Sequence, residues 1–350
     1  MMWLAWRQFR TAALTMSALT LAILLPLAAT GPHLNHLFTT QHLNHCGTPQ
    51  TCTPAREAFF TAIKADTSIL VIYFTAIVML YLLPALLGLF WGAPLASRET
   101  ETGTLRLAWT QSVTRHRWLT VKLAAGATAA TILTGLLSWA VTWWSTPIDQ
   151  AAHLAGGEQG ALPNHFNPVV FGARGIAPVA VAVFGYLIGV TAGLLLRRTL
   201  PALAATLVVL AAVQIAVPVA VRQHYAAPER TSVPLIVDAH HPGLELSVDG
   251  PTLHVQTPVD VPGAWVFSVH LTDATGAPFH APAPQACQTM TDDPTACFAA
   301  INALHLRQTA DYQPGTRFAQ FQAEETALYL LLSLALAGVC LRRVRTMAPA

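Results

Sequence analysis

Residues able to do chemistry gather in three places. The first holds His33, His36, His42, His45 and Cys46. His-x-x-His spacing can set two imidazoles on one helix face, as a metal site would use. Gly31-Pro32 and Asn35/Asn44 give no defined scaffold, so a polar loop is the plainer reading, and neither metal nor cofactor is assigned. Cysteines mark the second place. Cys46 and Cys52 share one segment, Cys287 and Cys297 another. Four cysteines allow three pairings. Local pairing, Cys46–Cys52 and Cys287–Cys297, is the expected one if both segments lie where disulfides persist. Cys340 falls in an apolar run and reads as a small apolar residue.

The third place is the connector 97–122, SRETETGTLRLAWTQSVTRHRWLTVK. Glu99 and Glu101 open it, and Arg98, Arg106, Arg115, Arg117 and Lys122 follow. Leu105, Leu107, Trp109 and Val113 are apolar among polar neighbours. Gly103 breaks or turns the chain, and Thr114 is placed to cap the helix that follows. Two readings stand level on these residues alone. One is an amphipathic loop held at a membrane surface by Trp109 and Trp118. The other is a short docking helix for a second protein.

Several chemistries are missing from the sequence. No G-x-x-x-x-G-K-[ST] loop is present to cradle ATP. No H-E-x-x-H or G-x-S-x-G is present either. The chain is therefore not read as an enzyme.

The elements around these residues are apolar. Of 350 residues, 53% are hydrophobic and 10% charged, where soluble proteins carry about 25% charged residues. Mean hydropathy is +0.48. Six runs can cross a bilayer of about 30 Å as helices: Thr11–Thr30, Ile69–Trp91, Leu123–Trp144, Ile176–Leu196, Pro201–Val221 and Thr326–Leu341. None contains Asp, Glu, Lys, Arg or His. Ion-coupled transporters and intramembrane proteases place such groups in the membrane, so both classes are disfavoured. A signal-peptide reading of the first run is set aside, because Trp3, Trp6, Arg7 and Arg10 read as an interfacial anchor ahead of a retained helix.

Charge sets the orientation. Segments 1–10, 92–122, 197–200 and 342–350 carry 12 of the 19 Lys and Arg residues, but only Glu99 and Glu101 of the 17 acids. The positive-inside bias puts both termini and the connector in the cytoplasm. Segments 31–68, 146–175 and 222–325 then lie outside. The net charge of +2 and the lack of a long basic block argue against a nucleic-acid partner.

The chain divides into 1–145 with spans one to three, the outside loop 146–175, spans four and five in 176–221, the outside domain 222–325, and span six with its tail in 326–350. Within the outside domain, Leu244, Leu246 and Val248 alternate with polar residues, as do Trp265, Phe267 and Val269. That period, with turns at Asp249-Gly250 and Asp273–Gly276, reads as short antiparallel strands. Residues 296–306 read as helical. The fold class is thus an all-α polytopic membrane protein with six transmembrane helices and an extracytoplasmic, partly β insertion between spans five and six. Gly185, Gly189 and Gly193, four apart on span four, form a helix-packing stripe within the chain or against another subunit. Pro26, Pro84 and Pro218 are candidate kinks.

Residues 90–123 resemble the region between the second and third spans of ABC-2-type transporter permeases. The matching features are Glu99 and Glu101, then Gly103-Thr104, the hydrophobic step Leu105–Trp109, the triplet Val113-Thr114-Arg115, and Lys122. Thr114 replaces the commoner Ser and keeps the hydroxyl. MMWLAWRQFR, LLLRRTLPALAATLVV and YQPGTRFAQFQAEETALYL also resemble actinobacterial members. The resemblance implies the permease subunit of an ABC exporter in the bacterial plasma membrane, without an ATPase of its own. It implies pairing with an ABC ATP-binding subunit and a second permease copy or homologue, amid membrane lipid. It places Glu99, Glu101, Gly103, Thr104, Thr114 and Arg115 at the ATPase contact. It also implies a short re-entrant or interfacial helix at residues 312–325. The alternative reading is a membrane-anchored sensor whose outside domain binds a ligand and signals to a cytoplasmic partner.

Overall fold

A computed structural model describes residues 2–46, 49–101, 114–154, 162–238, 244–249, 252–257, 259, 261, 263–279, 282–288 and 294–346. Six helices are long and apolar enough to cross a membrane. The first is α1 (Met2–Thr40). After α2 (Pro49–Ala65), α3 (Thr67–Leu87) passes through a π-helical turn, Gly88–Gly92, into α4 (Ala93–Glu101). α5 (Arg115–Leu154) is followed by the short α6 (Pro168–Phe171), then by α7 (Ala177–Leu196) and α8 (Thr199–Ala216). α8 continues through a second π-helical turn, Val217–Val221.

Burial decides which helix is central. In α7, 78% of the most apolar window is buried, against 17% in α1 and in α8. α7 is apolar on all sides and surrounded, as expected of a core helix. The outward faces of the others carry Leu25, Phe74, Leu136, Val208 and Leu331, all exposed. In a bilayer these meet acyl chains, which are as apolar as they are.

The segment 31–68 is more regular than its Gly-Pro and Asn residues suggest. α1 runs through Gly31-Pro32 to Thr40, carrying His33 and His36 on its last turns. Packing overrides the local break signal. A Cβ on Gly31 would lie 2.5 Å from the Trp143 ring, and Trp144 Nε1 donates to Thr30 Oγ1 at 2.9 Å. His42 and His45 sit in a tight turn beyond the helix. Among the described residues, no three His, Cys, Asp or Glu side chains converge to hold a metal ion.

The cysteine pairs differ. Cys287 and Cys297 form a disulfide. The expected Cys46–Cys52 bridge is not present; both are free thiols. Cys52 is buried in the first turn of α2. A hydrogen bond with Cys52, followed by desolvation, pushes the Cys46 thiol up to about 11.

The insertion after α8 contains five described strands. β1 (Glu229–Pro234), β5 (Arg307–Gln313) and β4 (Trp265–Thr272) form an antiparallel sheet in that order, with β5 central. β2 (Glu245–Asp249) and β3 (Thr252–Gln256) form a separate ribbon. Two short helices, α9 (Gln285–Gln288) and α10 (Thr295–Ala303), are joined by the disulfide. They cover a small core of Leu235, Val237, Val255, Phe298, Ile301 and Leu306.

Residues 312–325 do not form a separate short helix. β5 ends at Gln313, Gly315–Arg317 makes one turn, and α11 (Phe318–Thr346) runs unbroken from there. The helix starts early because Phe321 packs with Phe166, Phe171 and Trp265. That aromatic cluster seats the insertion on the bundle. Nearby, Asn164 Nδ2 donates to the Ala264 carbonyl at 3.0 Å.

Candidate functional site

The connector leaves the bundle from α4 and returns at α5. α4 is built firmly into its surroundings. The π-helical turn brings Gly88 and Gly92 against α7, where Gly185 and Gly189 face them, while Gly193 meets the Ala93 backbone one turn on. A Cβ on Gly88 would stand 2.5 Å from the Gly185 carbonyl oxygen. One on Gly185 would stand 2.5 Å from that of Pro84. The backbones meet directly, so the glycine stripe is occupied within the chain. Such close approach is what small residues permit in apolar surroundings.

At the end of α4 the contacts turn polar. Ser97 is fully buried, and its hydroxyl donates to the Ala93 carbonyl at 2.8 Å. Its Oγ lies 3.2 Å from Thr199 Oγ1. Thr199 in turn donates twice to Glu101, from its N–H to Oε1 at 2.8 Å and from its hydroxyl to Oε2 at 2.6 Å. Thr199 is the first residue of α8, and the preceding Arg198 supplies no side-chain cap. Glu101 therefore caps span five from another element. These bonds, the hydroxyl first, hold its carboxyl below the usual range, and Arg198 adds to them. A carboxylate at a helix start also meets the positive end of the helix dipole.

On the return side, Thr114 precedes α5. Its carbonyl accepts from the Trp118 N–H at 3.0 Å, and its hydroxyl accepts from the Arg117 N–H at 3.4 Å. The second is a long capping bond. Arg115 is the half-buried first residue of α5. Two turns further in, Lys122 is buried with its Nζ 4.4 Å from the Trp118 ring centre. The Tyr186 hydroxyl donates to the Lys122 carbonyl at 3.0 Å and ties α5 to the central helix. Gly103 and Thr104 lie outside the described residues, as does the side chain of Glu99.

A second polar assembly sits at the opposite end of the bundle. Arg222 and Glu325 are 1% and 2% exposed. They pair through two bonds, Nε to Oε2 at 2.8 Å and Nη2 to Oε1 at 2.9 Å. Arg222 also donates to the Pro168 carbonyl at 3.1 Å and lies 4.2 Å from the Phe171 ring centre. Gln322 caps the central helix: its Oε1 accepts from the N–H groups of Ile176 at 3.0 Å and Ala177 at 2.8 Å. Arg174, 1% exposed, donates to the Val141 carbonyl at 2.7 Å and to Ser145. Between this end and the insertion lies a cavity of about 290 Å³ lined by Arg56, Phe60, Asn164, Gln256 and Ser268 among others.

Sequence reasoning missed the Arg222–Glu325 pair. It drew span five to Val221 and span six from Thr326, leaving each charge one residue outside. The candidate spans run Thr199–His224 and Gly315–Thr346. The available signal was two opposite charges flanking the same ends of neighbouring apolar runs.

The family model described as ABC-2 membrane transporter related matches residues 17–222. That is 206 of 350 residues, well over half of the chain. The chain belongs to the ABC-2 membrane transporter related family. As an ABC-2-type permease it is a multi-pass membrane protein of the ABC transporter class. The match begins within span one, takes in spans two to five and the connector, and ends at Arg222, where the insertion begins. No curated relative and no solved structure matches the chain significantly.

Proposed function

We propose that this permease is the membrane half of an ABC exporter, energised by a separate ATP-binding subunit that seats on the connector. The connector's mounting carries the reading. It hangs from α4, which is pressed backbone to backbone on the central helix and tied to span five through Glu101. Force applied at the end of α4 thus has a stiff route into the bundle. Glu99, Gly103, Thr104, Thr114 and Arg115 are the proposed contacts, with Glu101, itself exposed, engaged by Thr199.

The absence of a P-loop from the sequence supports an external energy source. The charge asymmetry supports both termini and the connector in the cytoplasm of a bacterial plasma membrane, with the insertion outside. Two permease copies, or a copy and a homologue, form the translocation unit, with lipid against the exposed apolar faces. Export is supported by the family resemblance and by the insertion, which stands over the end where an exported substrate would emerge. A sensor reading draws on one observation, an open cleft of about 730 Å³ in the insertion lined by Arg230, Glu245, His254, His270, Phe279 and Asp311.

Co-expression with a candidate ATP-binding subunit tests the proposal. A stable complex whose ATP hydrolysis rises on reconstitution with compounds from one chemical class is the expected result. A permease that binds ligand through the cleft and retains no ATP-binding subunit favours the sensor.

A further inference from the structure

We infer that Glu101 is a positioning residue that hands movement of the connector to span five, not a surface contact for the ATP-binding subunit. The inference rests on the exporter reading and adds to it.

Three observations carry it. Both carboxylate oxygens of Glu101 are engaged by Thr199, and Ser97 approaches the same hydroxyl. Glu101 is also the last residue of α4 (Ala93–Glu101), so its carboxylate sits where the connector departs from that helix. Span five also buries few of its own residues. Of α8, only Ala202, Thr206 and Leu210 are buried, while Leu200, Leu207, Val208, Val209 and Ile215 are exposed. The central helix α7, by contrast, is locked to α3 and α4 by its glycines.

The turn between spans four and five consists of Arg197 and Arg198 alone, and Arg197 adopts the left-handed conformation, φ 55°. A non-glycine residue there is uncommon and conformationally restrictive. The start of span five is therefore held close to the end of span four. Glu101 grips that start one residue past the turn. A pull on α4 turns span five against a fixed span four, and loss of the carboxylate leaves the start of α8 uncapped, with the Ser97 contact left to link it to α4. α7 is likewise capped from a distant element, by Gln322 of α11. Spans four and five thus take their end caps from opposite ends of the bundle.

The test uses the full complex of permease and ATP-binding subunit. Spin labels go at Leu207→Cys on α8 and Leu136→Cys on α5, with Cys46, Cys52 and Cys340 replaced by Ser. Their separation is compared without nucleotide and after trapping with MgATP and vanadate. The parent complex should show a nucleotide-dependent change. Glu101→Ala should keep its ATP-binding subunit and basal hydrolysis but lose most of that change. Thr199→Ala should lose part of it, and Thr199→Ser should restore it. Glu101→Gln, which keeps the side-chain shape and one acceptor, serves if the alanine variant fails to insert.

The inference is overturned if Glu101→Ala releases the ATP-binding subunit, which makes Glu101 a docking contact. It is equally overturned if span five does not move in the parent complex, or moves fully without Glu101. A parent permease that retains no ATP-binding subunit overturns the exporter reading instead.

Discussion

Replacing Glu325 by Gln removes one charge from a buried pair and leaves Arg222 in place. The guanidinium then keeps only the Pro168 carbonyl, one amide oxygen and the face of Phe171. At 1% exposure it is almost wholly buried. Breaking a buried ion pair by removing one partner costs about 3–5 kcal/mol, because the remaining charge is uncompensated. Gln retains one acceptor, so its cost should fall near the lower end, and Glu325→Leu near the upper. Arg222→Met combined with Glu325→Leu removes both charges and should recover most of the loss. In a thermal melt of the detergent-purified protein, about 2–4 °C per kcal/mol predicts a drop of roughly 6 °C or more for Glu325→Gln. A Gln variant melting within about 2 °C of wild type would refute the reasoning. So would a double variant no more stable than Glu325→Leu.

Three further outcomes are expected. Replacing Cys287 and Cys297 by Ser opens a loop with a sequence separation of 10, which should cost about 2–3 kcal/mol and appear as faster proteolysis within 222–317, the bundle remaining resistant. Burial, followed by the nearby His153 and Arg174, pushes His165 down to about 4, so the unfolded chain takes up this proton at higher pH than the folded one. Stability from a neutral His165 is then complete above about pH 6.5 and is lost as pH falls toward about 4; melting His165→Gln across that window should give a shallower decline than wild type. Finally, Gly189→Val places branched carbon against the Gly88 carbonyl and the Ala93 nitrogen, and overpacking should lower stability by about 1–3 kcal/mol or more, read as reduced folded yield in membranes.

The spans were legible because lipid imposes a coarse rule, about twenty apolar residues without charge. Burial was less so. Leu207 and Leu187 are equally apolar, yet one is exposed and the other buried, and composition alone does not say which helix is central. The β4 and β2–β3 strands showed a period of two. β5, RQTADYQ, did not, because a central strand can bury Gln308, Ala310 and Gln313 through hydrogen bonds and small size as well as apolar bulk. α1 defeated its own break signals at Gly31-Pro32 through contact with Trp143, 112 positions away. Glu101 was visible as an acid in a motif, but its partner Thr199 lies 98 residues on, a distance no local pattern spans. The same long range hid Arg222 from Glu325.

The claim that the connector receives the ATP-binding subunit is tested most directly by reversing its charges. Glu99→Lys with Arg115→Glu alters both ends of the segment and lies outside the apolar runs, so membrane insertion should be unchanged. Hydrogen bonds to charged groups contribute roughly 1.5–3 kcal/mol each, so affinity for the ATP-binding subunit should fall by about 10-fold or more. The measurement is the dissociation constant of that subunit from the reconstituted permease. A clear weakening, with the permease still folded, is the predicted result. An unchanged constant would contradict the connector as the seat of coupling.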